Sequence, residues 1–388
     1  MMKSVFSAML VVAFAAGCAS DTSSSERAAA AAAPARDAQL FQTEDYQVRV
    51  VTLAEGLVYP YSFDFLPDGS VLIAQLNGEM RLFRDGEDAA QPITGIPKVY
   101  YIPGRGGLMD LQLHPKFAEN RWVYFTYDRP GERGASPVVA RGTLNGNRLS
   151  DVKDILATNA WGKYDGHLGA YLRFTPDGML YVSTGDRGEP LRSQDMSDDA
   201  GKVLRIRDDG SVPEDNPFVG RTGHSAVIYS YGHRDIHGMT VHPVTGDVWT
   251  NEHGDEINVE RSGLNYGWPY ISVDRRDNVP APANVTITPP YLPWSPRILV
   301  SGLSFYYGDV FPKWKGNLLV GGYGSSGVHR VKFAQEPPDV SAPASGEKRE
   351  QLFDIGARVR DVKEGPDGLI YFVTDEEAGR LFRIELAQ

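Results

Sequence analysis

Cysteine is almost missing from the 388 residues. The single one, Cys18, rules out an internal disulfide and any zinc site built on cysteines. A basic excess is missing too. There are 39 Lys+Arg against 50 Asp+Glu, a formal net charge of -11, which repels a phosphate backbone and argues against a nucleic-acid binder. No apolar run reaches the about 20 residues that a membrane-spanning helix needs. No stretch carries a convincing 3.6-residue amphipathic period either. What the chain has in plenty is turn formers and aromatics: 41 Gly and 26 Pro beside 16 Phe, 19 Tyr and 6 Trp, a mixture that favours strands and tight turns. With 41% hydrophobic and 23% charged residues it can bury a large core. Length alone suggests two or three domains, but large all-β folds run this long as one unit.

Met1–Ala16 reads as an export signal: Lys3, then an apolar run from Val5 to Ala16 broken only by Ser7. Ala15-Ala16-Gly17-Cys18 resembles the lipobox of bacterial lipoproteins, whose cysteine receives the diacylglycerol. Residues 1–18 are therefore read as a lipoprotein signal peptide with Cys18 as the lipidation site. Ala19 in place of Asp implies, by the same resemblance, the outer membrane. Residues 19–44 are Ser- and Ala-rich without a period and read as a flexible tether. Residues 45–388 form the folded body. The expectation is an exported protein on the periplasmic face of the outer membrane, touching lipid only through its anchor.

One pattern recurs six times: a Pro-containing turn, a strand, a second turn and another strand. It runs as Leu66-Pro67-Asp68-Gly69 before Val71–Gln75, then His114-Pro115 before Trp122–Tyr127, then Thr175-Pro176-Asp177-Gly178 before Met179–Ser183. His242-Pro243, Phe311-Pro312 and Gly365-Pro366-Asp367-Gly368 open the other three. Proline to proline the spacings are 48, 61, 67, 69 and 54 residues, the size of a four-stranded propeller blade with variable loops. Tyr46–Leu53 is left over as a strand able to close the ring beside the last unit. The fold expected is all-β: a six-bladed β-propeller of four-stranded antiparallel blades. The turn aspartates Asp68, Asp177 and Asp367 have a structural explanation, bonding their own backbone.

A second set of polar residues lies just outside the repeat. His167 precedes the strand of the third unit, and Asp186 follows it in Gly185-Asp186-Arg187-Gly188. Arg234 and Asp235 follow Tyr231-Gly232-His233, and Arg358 and Arg360 precede the last repeat. Strand alternation puts Arg358 and Arg360 on one side, a pair suited to a ligand with several carboxylates. Structural ion pairing would use the same residues. His233 and His237 are spaced to share a face, but no third ligand is spaced to join them in a metal site.

These motifs resemble the soluble pyrroloquinoline quinone (PQQ) sugar dehydrogenases, the glucose/sorbosone and aldose dehydrogenase family. The likeness is carried by Gly107-Leu108-Met109-Asp110, Gly166-His167, Thr184-Gly185-Asp186-Arg187-Gly188, Tyr231-Gly232-His233-Arg234, Asn265-Tyr266-Gly267-Trp268-Pro269 and Arg358-Val359-Arg360-Asp361. It runs in order from Val50 to the C-terminus. The resemblance implies an oxidoreductase that converts an aldose to its lactone by hydride transfer to the quinone, with an external electron acceptor. His167 would be the general base at the anomeric hydroxyl, near its unperturbed pKa. Asp186 would orient it, Arg234 would sit at the quinone oxygens, and Arg358 and Arg360 would hold PQQ carboxylates.

The chain also departs from the family pattern. Arg105 stands where a Gln is usual, Asp235 where an Asn is usual, and Tyr171 where an Arg is usual. The family's Lys is missing around Gly324-Ser325-Ser326-Gly327. The loop whose carbonyls hold calcium is shortened at Gly254, which puts calcium in question. Arg105 is expected to point into the channel and, with Arg234, Arg358 and Arg360, to restore the positive charge. Two other readings remain open at this point: a cofactor-free propeller acting as a surface binding module, and a calcium-dependent lactonase-type hydrolase.

Overall fold

The computed structural model describes residues 37–387 except 88–89, 164–165 and 274–277, so the segment read as an export signal, with Cys18, lies outside the described residues. Six antiparallel sheets follow one another along the chain. Their first strands are Pro60–Phe65, Leu108–Leu113, Gly169–Phe174, Ile236–Val241, Val300–Tyr306 and Val359–Glu364. Each packs against the first strand of the next sheet, and the sixth packs back against the first. That closed cycle makes the sheets the six blades of a β-propeller, with the first strands around its central channel.

The turns identified in the sequence join the first strand of a blade to its second. Asp68 Oδ1, for example, accepts from the Ser70 backbone N–H at 2.9 Å, and Asp367 Oδ1 from that of Leu369 at 3.1 Å. Second strands such as Val71–Gln75 and Leu180–Thr184 are buried along their whole length because a neighbouring blade covers each face. The core is accordingly divided between blades. Leu72, Ala74 and Leu82 of the first blade interdigitate with Leu111, Val123 and Phe125 of the second. Phe353, Phe372 and Phe382 pack with the fifth blade's Leu319 and Val328. Truncating one such side chain to Ala costs about 2–5 kcal/mol.

The ring closes between the two ends of the body. Gln47–Leu57 is the fourth strand of the last blade, paired with Gly379–Leu386 in the register Val50↔Ile384 and Thr52↔Phe382. One correction concerns the residues read as tether: Ala38–Gln42 is a strand, the fifth of that blade, paired along Gln47–Val51.

All six first strands share a defect that matters for the site. Near its start each pairs with its neighbour through a register shift, at Pro60/Ser62, Leu108/Leu111, Gly169/Leu172, Ile236/Gly238, Val300/Leu303 and Val359/Asp361. Such bulges bend a strand and re-aim its side chains. They ring one end of the channel, and that end carries the candidate residues.

Candidate functional site

His167, Asp186 and Arg234 come from three loops locked together by their backbones. Gly185 N–H donates to Leu168 O (3.0 Å), and Asp186 N–H donates to Arg234 O (2.8 Å). A side chain at Gly185 would place its Cβ 2.0 Å from His167 O, so only glycine permits this approach. His167 itself has φ +49° and Arg187 φ +59°, a left-handed backbone that costs energy in residues with a Cβ and is typical of functional sites.

Within this frame the Asp186 carboxylate is fully buried and fully used. Oδ1 lies 2.7 Å from His167 Nδ1 and accepts from Gly188 N–H at 2.8 Å, while Oδ2 accepts from the Trp268 indole at 2.7 Å. The sequence reading expects His167 near its ordinary pKa. The structure corrects this: burial opposes the imidazolium, but the hydrogen bond to Asp186 and the nearby charge of Asp235 outweigh it, and the pKa is raised. With Nδ1 held by Asp186, proton exchange with a ligand runs through Nε2.

His167 lines two cavities. The larger, of ≈ 760 Å³, is walled by Trp161, Trp268, Asp186 and Arg234, with Arg133 and Lys163 at its edge. The smaller, of ≈ 170 Å³, is lined by Tyr61, Arg105, Asp235, His237, His253, Tyr323 and Arg360 as well as His167. Arg105, itself exposed, therefore lines the same cavity as His167 and Arg360. Arg360 is buried, its guanidinium 3.8 Å from the Tyr61 ring centroid and 5.8 Å from that of Tyr323. Arg358 is exposed, 4.8 Å from the same Tyr323 ring, so the two arginines share a side as alternation requires. Tyr171, in the place of a family Arg, is buried beside Tyr61 at a ring distance of 5.3 Å.

Arg234 Nη1 donates to His253 O at 3.2 Å, and the guanidinium lies 5.1 Å from the Trp268 ring. Its Nε, like that of Arg360, is buried without a partner. One orphaned cationic donor beside each of the two cavities that His167 lines suits an anionic acceptor.

The structure bears on the residues weighed for metals in the sequence. His233 and His237 do not share a site: His233 is buried between Glu252 (3.0 Å) and Glu260 (3.5 Å), which push its pKa up to about 10 against the effect of burial. His237 instead meets Asp235 and His253, and sequence spacing misses this trio because a hairpin brings in His253. Gly254 sits in the tight turn of that hairpin, where Asp255 N–H donates to Glu252 O at 3.0 Å. The Asp255 carboxylate is committed to Arg297 and to Val300 N–H. Glu256 is pushed up to about 8 by burial and by Glu252. The acids flanking Gly254 thus do not offer calcium the six to eight oxygens it takes.

Residues 57–383 match the glucose/sorbosone dehydrogenase family. The chain is 33% identical over 351 residues to the aldose sugar dehydrogenase YliI of Escherichia coli, covering 87% of this chain and 92% of that one. A crystal structure of a glucose dehydrogenase superposes with a TM-score of 0.80 at 33% identity, over 87% of this chain and 99% of the other. The PQQ-bound aldose sugar dehydrogenase of Streptomyces coelicolor shares the fold at 23% identity and a TM-score of 0.71, over 91% of this chain and 100% of its own.

Proposed function

Because the chain belongs to the glucose/sorbosone dehydrogenase family, that of the soluble PQQ sugar dehydrogenases, we propose that it is a PQQ-dependent oxidoreductase that converts the anomeric carbon of an aldose to the lactone. The observation that carries this reading is the His167–Asp186 pair, set between a large aromatic-walled cavity and a small cationic one. PQQ, when bound, supplies the hydride acceptor, so the protein needs no redox centre of its own.

The residues present fit such a cofactor. Arg105 and Arg360 line the small cavity, Arg358 stands above it on Tyr323, and Arg234 adjoins it from the larger one. Together they replace the positive charge of the Lys missing around Ser325, and the orphaned Nε atoms of Arg234 and Arg360 gain acceptors. The carboxylates flanking Gly254 are committed elsewhere, and no step depends on calcium there.

In this reading the sugar lies against Trp161 and Trp268, whose faces suit the apolar side of a pyranose. His167 Nε2 takes the proton of the anomeric hydroxyl. Asp186 fixes the tautomer and stabilises the imidazolium that forms. Arg234 offsets negative charge developing on the acceptor side. Export and a lipid on Cys18 would place the reaction outside the cytoplasm, with electrons passing to an external acceptor.

The test is a titration of purified protein with PQQ, with and without calcium, followed by dye reduction with a panel of aldoses. Saturable PQQ binding with aldose-dependent turnover is expected, and it should not need calcium. A protein that binds no PQQ, or binds it without turning over any aldose, overturns the reading.

A further inference from the structure

The trio at the floor of the small cavity is not explained by the sugar chemistry. Asp235 Oδ2 lies 2.8 Å from His237 Nε2, and the rings of His237 and His253 stack with centroids 3.5 Å apart. One ligand-type atom from each of the three residues lies within 4.8 Å of the others, the one such group among the described residues. His237 Nδ1 and His253 Nε2 are buried without hydrogen-bond partners. Two stacked imidazoles with buried, unused nitrogens make a poor structural element, since each orphan forfeits its solvation.

The trio is also held in place. Asp235 Oδ1 accepts from Gly169 N–H at 3.2 Å, and His253 N–H donates to Asp235 O at 3.1 Å.

We propose that Asp235, His237 and His253 form a two-histidine, one-carboxylate site for a divalent transition-metal ion whose remaining coordination positions open into the cavity shared by His167, Arg105 and Arg360. The donor chemistry selects the ion. Two imidazoles and one carboxylate suit zinc, cobalt or nickel, whereas calcium takes oxygen ligands in greater number. Donors about 2.0–2.2 Å from a zinc-like ion stand roughly 3–3.5 Å from one another, so small rotations of the two rings complete the set. The neighbouring Arg234 and Arg360 oppose a dication and hold the affinity below that of a closed structural zinc site. The site does not depend on the proposed function. Only its consequence does: a divalent charge supplied beside the cofactor cavity by side chains, in place of the shortened turn at Gly254.

The probe is Co²⁺, titrated into the full chain without PQQ and followed by its visible ligand-field absorption. One ion per chain is expected, displaced by Zn²⁺ and not by Ca²⁺. His237→Asn and His253→Asn should each weaken binding by at least about 100-fold, and the near-isosteric Asp235→Asn by about 10- to 100-fold. His224→Asn, at a half-buried histidine outside the trio, should change nothing. Circular dichroism identifies any variant that fails to fold, and Asp235→Asn keeps the test open in that case. Absent binding, binding untouched by all three variants, or displacement by Ca²⁺ overturns the site. PQQ binding is measured in parallel, so a metal site without PQQ would sink the functional reading and leave this one standing.

Discussion

Replacing Asp186 by Asn tests the catalytic geometry most directly, because all of its hydrogen bonds come from donors. Oδ1 receives His167 Nδ1 and Gly188 N–H, and Oδ2 receives the Trp268 indole. An amide can accept on one side only. With its oxygen toward His167, the NH₂ group faces the Trp268 N–H. With the oxygen toward Trp268, it faces Gly188 N–H and drives His167 to the tautomer protonated at Nε2, which cannot act as a base. In both orientations the imidazolium loses its anionic partner. Loss of a positioned base costs about 10²–10⁴-fold, roughly 3–5 kcal/mol of barrier. One unsatisfied buried donor adds about 1–3 kcal/mol of destabilisation. The assay is kcat/KM for aldose-dependent dye reduction against pH with saturating PQQ. In the wild type the rate rises with pH as His167 loses its proton, and the raised pKa places that limb above the ordinary histidine value. In Asp186→Asn the plateau should drop and the limb move to lower pH. A plateau within about threefold of wild type on an unshifted limb would refute the pairing as a catalytic device.

Three other outcomes follow. His167→Gln should remove turnover by about 10²–10⁴-fold while PQQ binding, measured by fluorescence quenching, stays nearly unchanged. Arg360→Lys keeps the charge but loses the planar fork stacked on Tyr61, so PQQ affinity should fall about 10- to 100-fold; isothermal titration against wild type checks this. Cys18→Ser should shift the protein from the membrane fraction to the soluble one without changing its melting temperature; a wild type already soluble after detergent-free lysis would dismiss the anchor.

The six-fold count was legible because the Pro/Asp/Gly turn joins the first and second strands of a blade, and second strands such as Val71–Gln75, Leu180–Thr184 and Ile370–Thr374 are mostly apolar along their length. The first and fourth strands were not. First strands such as Val359–Glu364 carry Arg360, Asp361 and Lys363 because they line the channel, so their alternation is hidden. Fourth strands are as short as Gln91–Ile93 or Leu292–Pro293 and mostly exposed, with too few residues to show a period. Within the site, His167, Asp186 and Arg234 could be named from motifs. The Trp268–Asp186 bond spans 82 residues and the Asp235–His237–His253 trio needs a hairpin, and neither leaves a local trace. The raised pKa of His167 was equally hidden, since Asp235 reaches it only through the fold.

The blade shared by the two ends of the body sets the timing of folding. Arg49 and Glu385 pair across 336 residues, so closing the ring costs about 5 kcal/mol of chain entropy before the last sheet gives anything back. A nascent chain can build the five earlier blades as it emerges, but the sixth waits for the final strand, leaving Gln47–Leu57 as an unpaired edge in the meantime. For that interval the molecule is an open crescent, exposed to proteolysis and to strand exchange with another copy. The small cavity is incomplete for as long, because Arg360 and Tyr61 face each other across the junction of the last blade and the first. Competence to bind a ligand there is therefore acquired in the closing step, and a ligand that bridges the two blades would act as a latch on the ring.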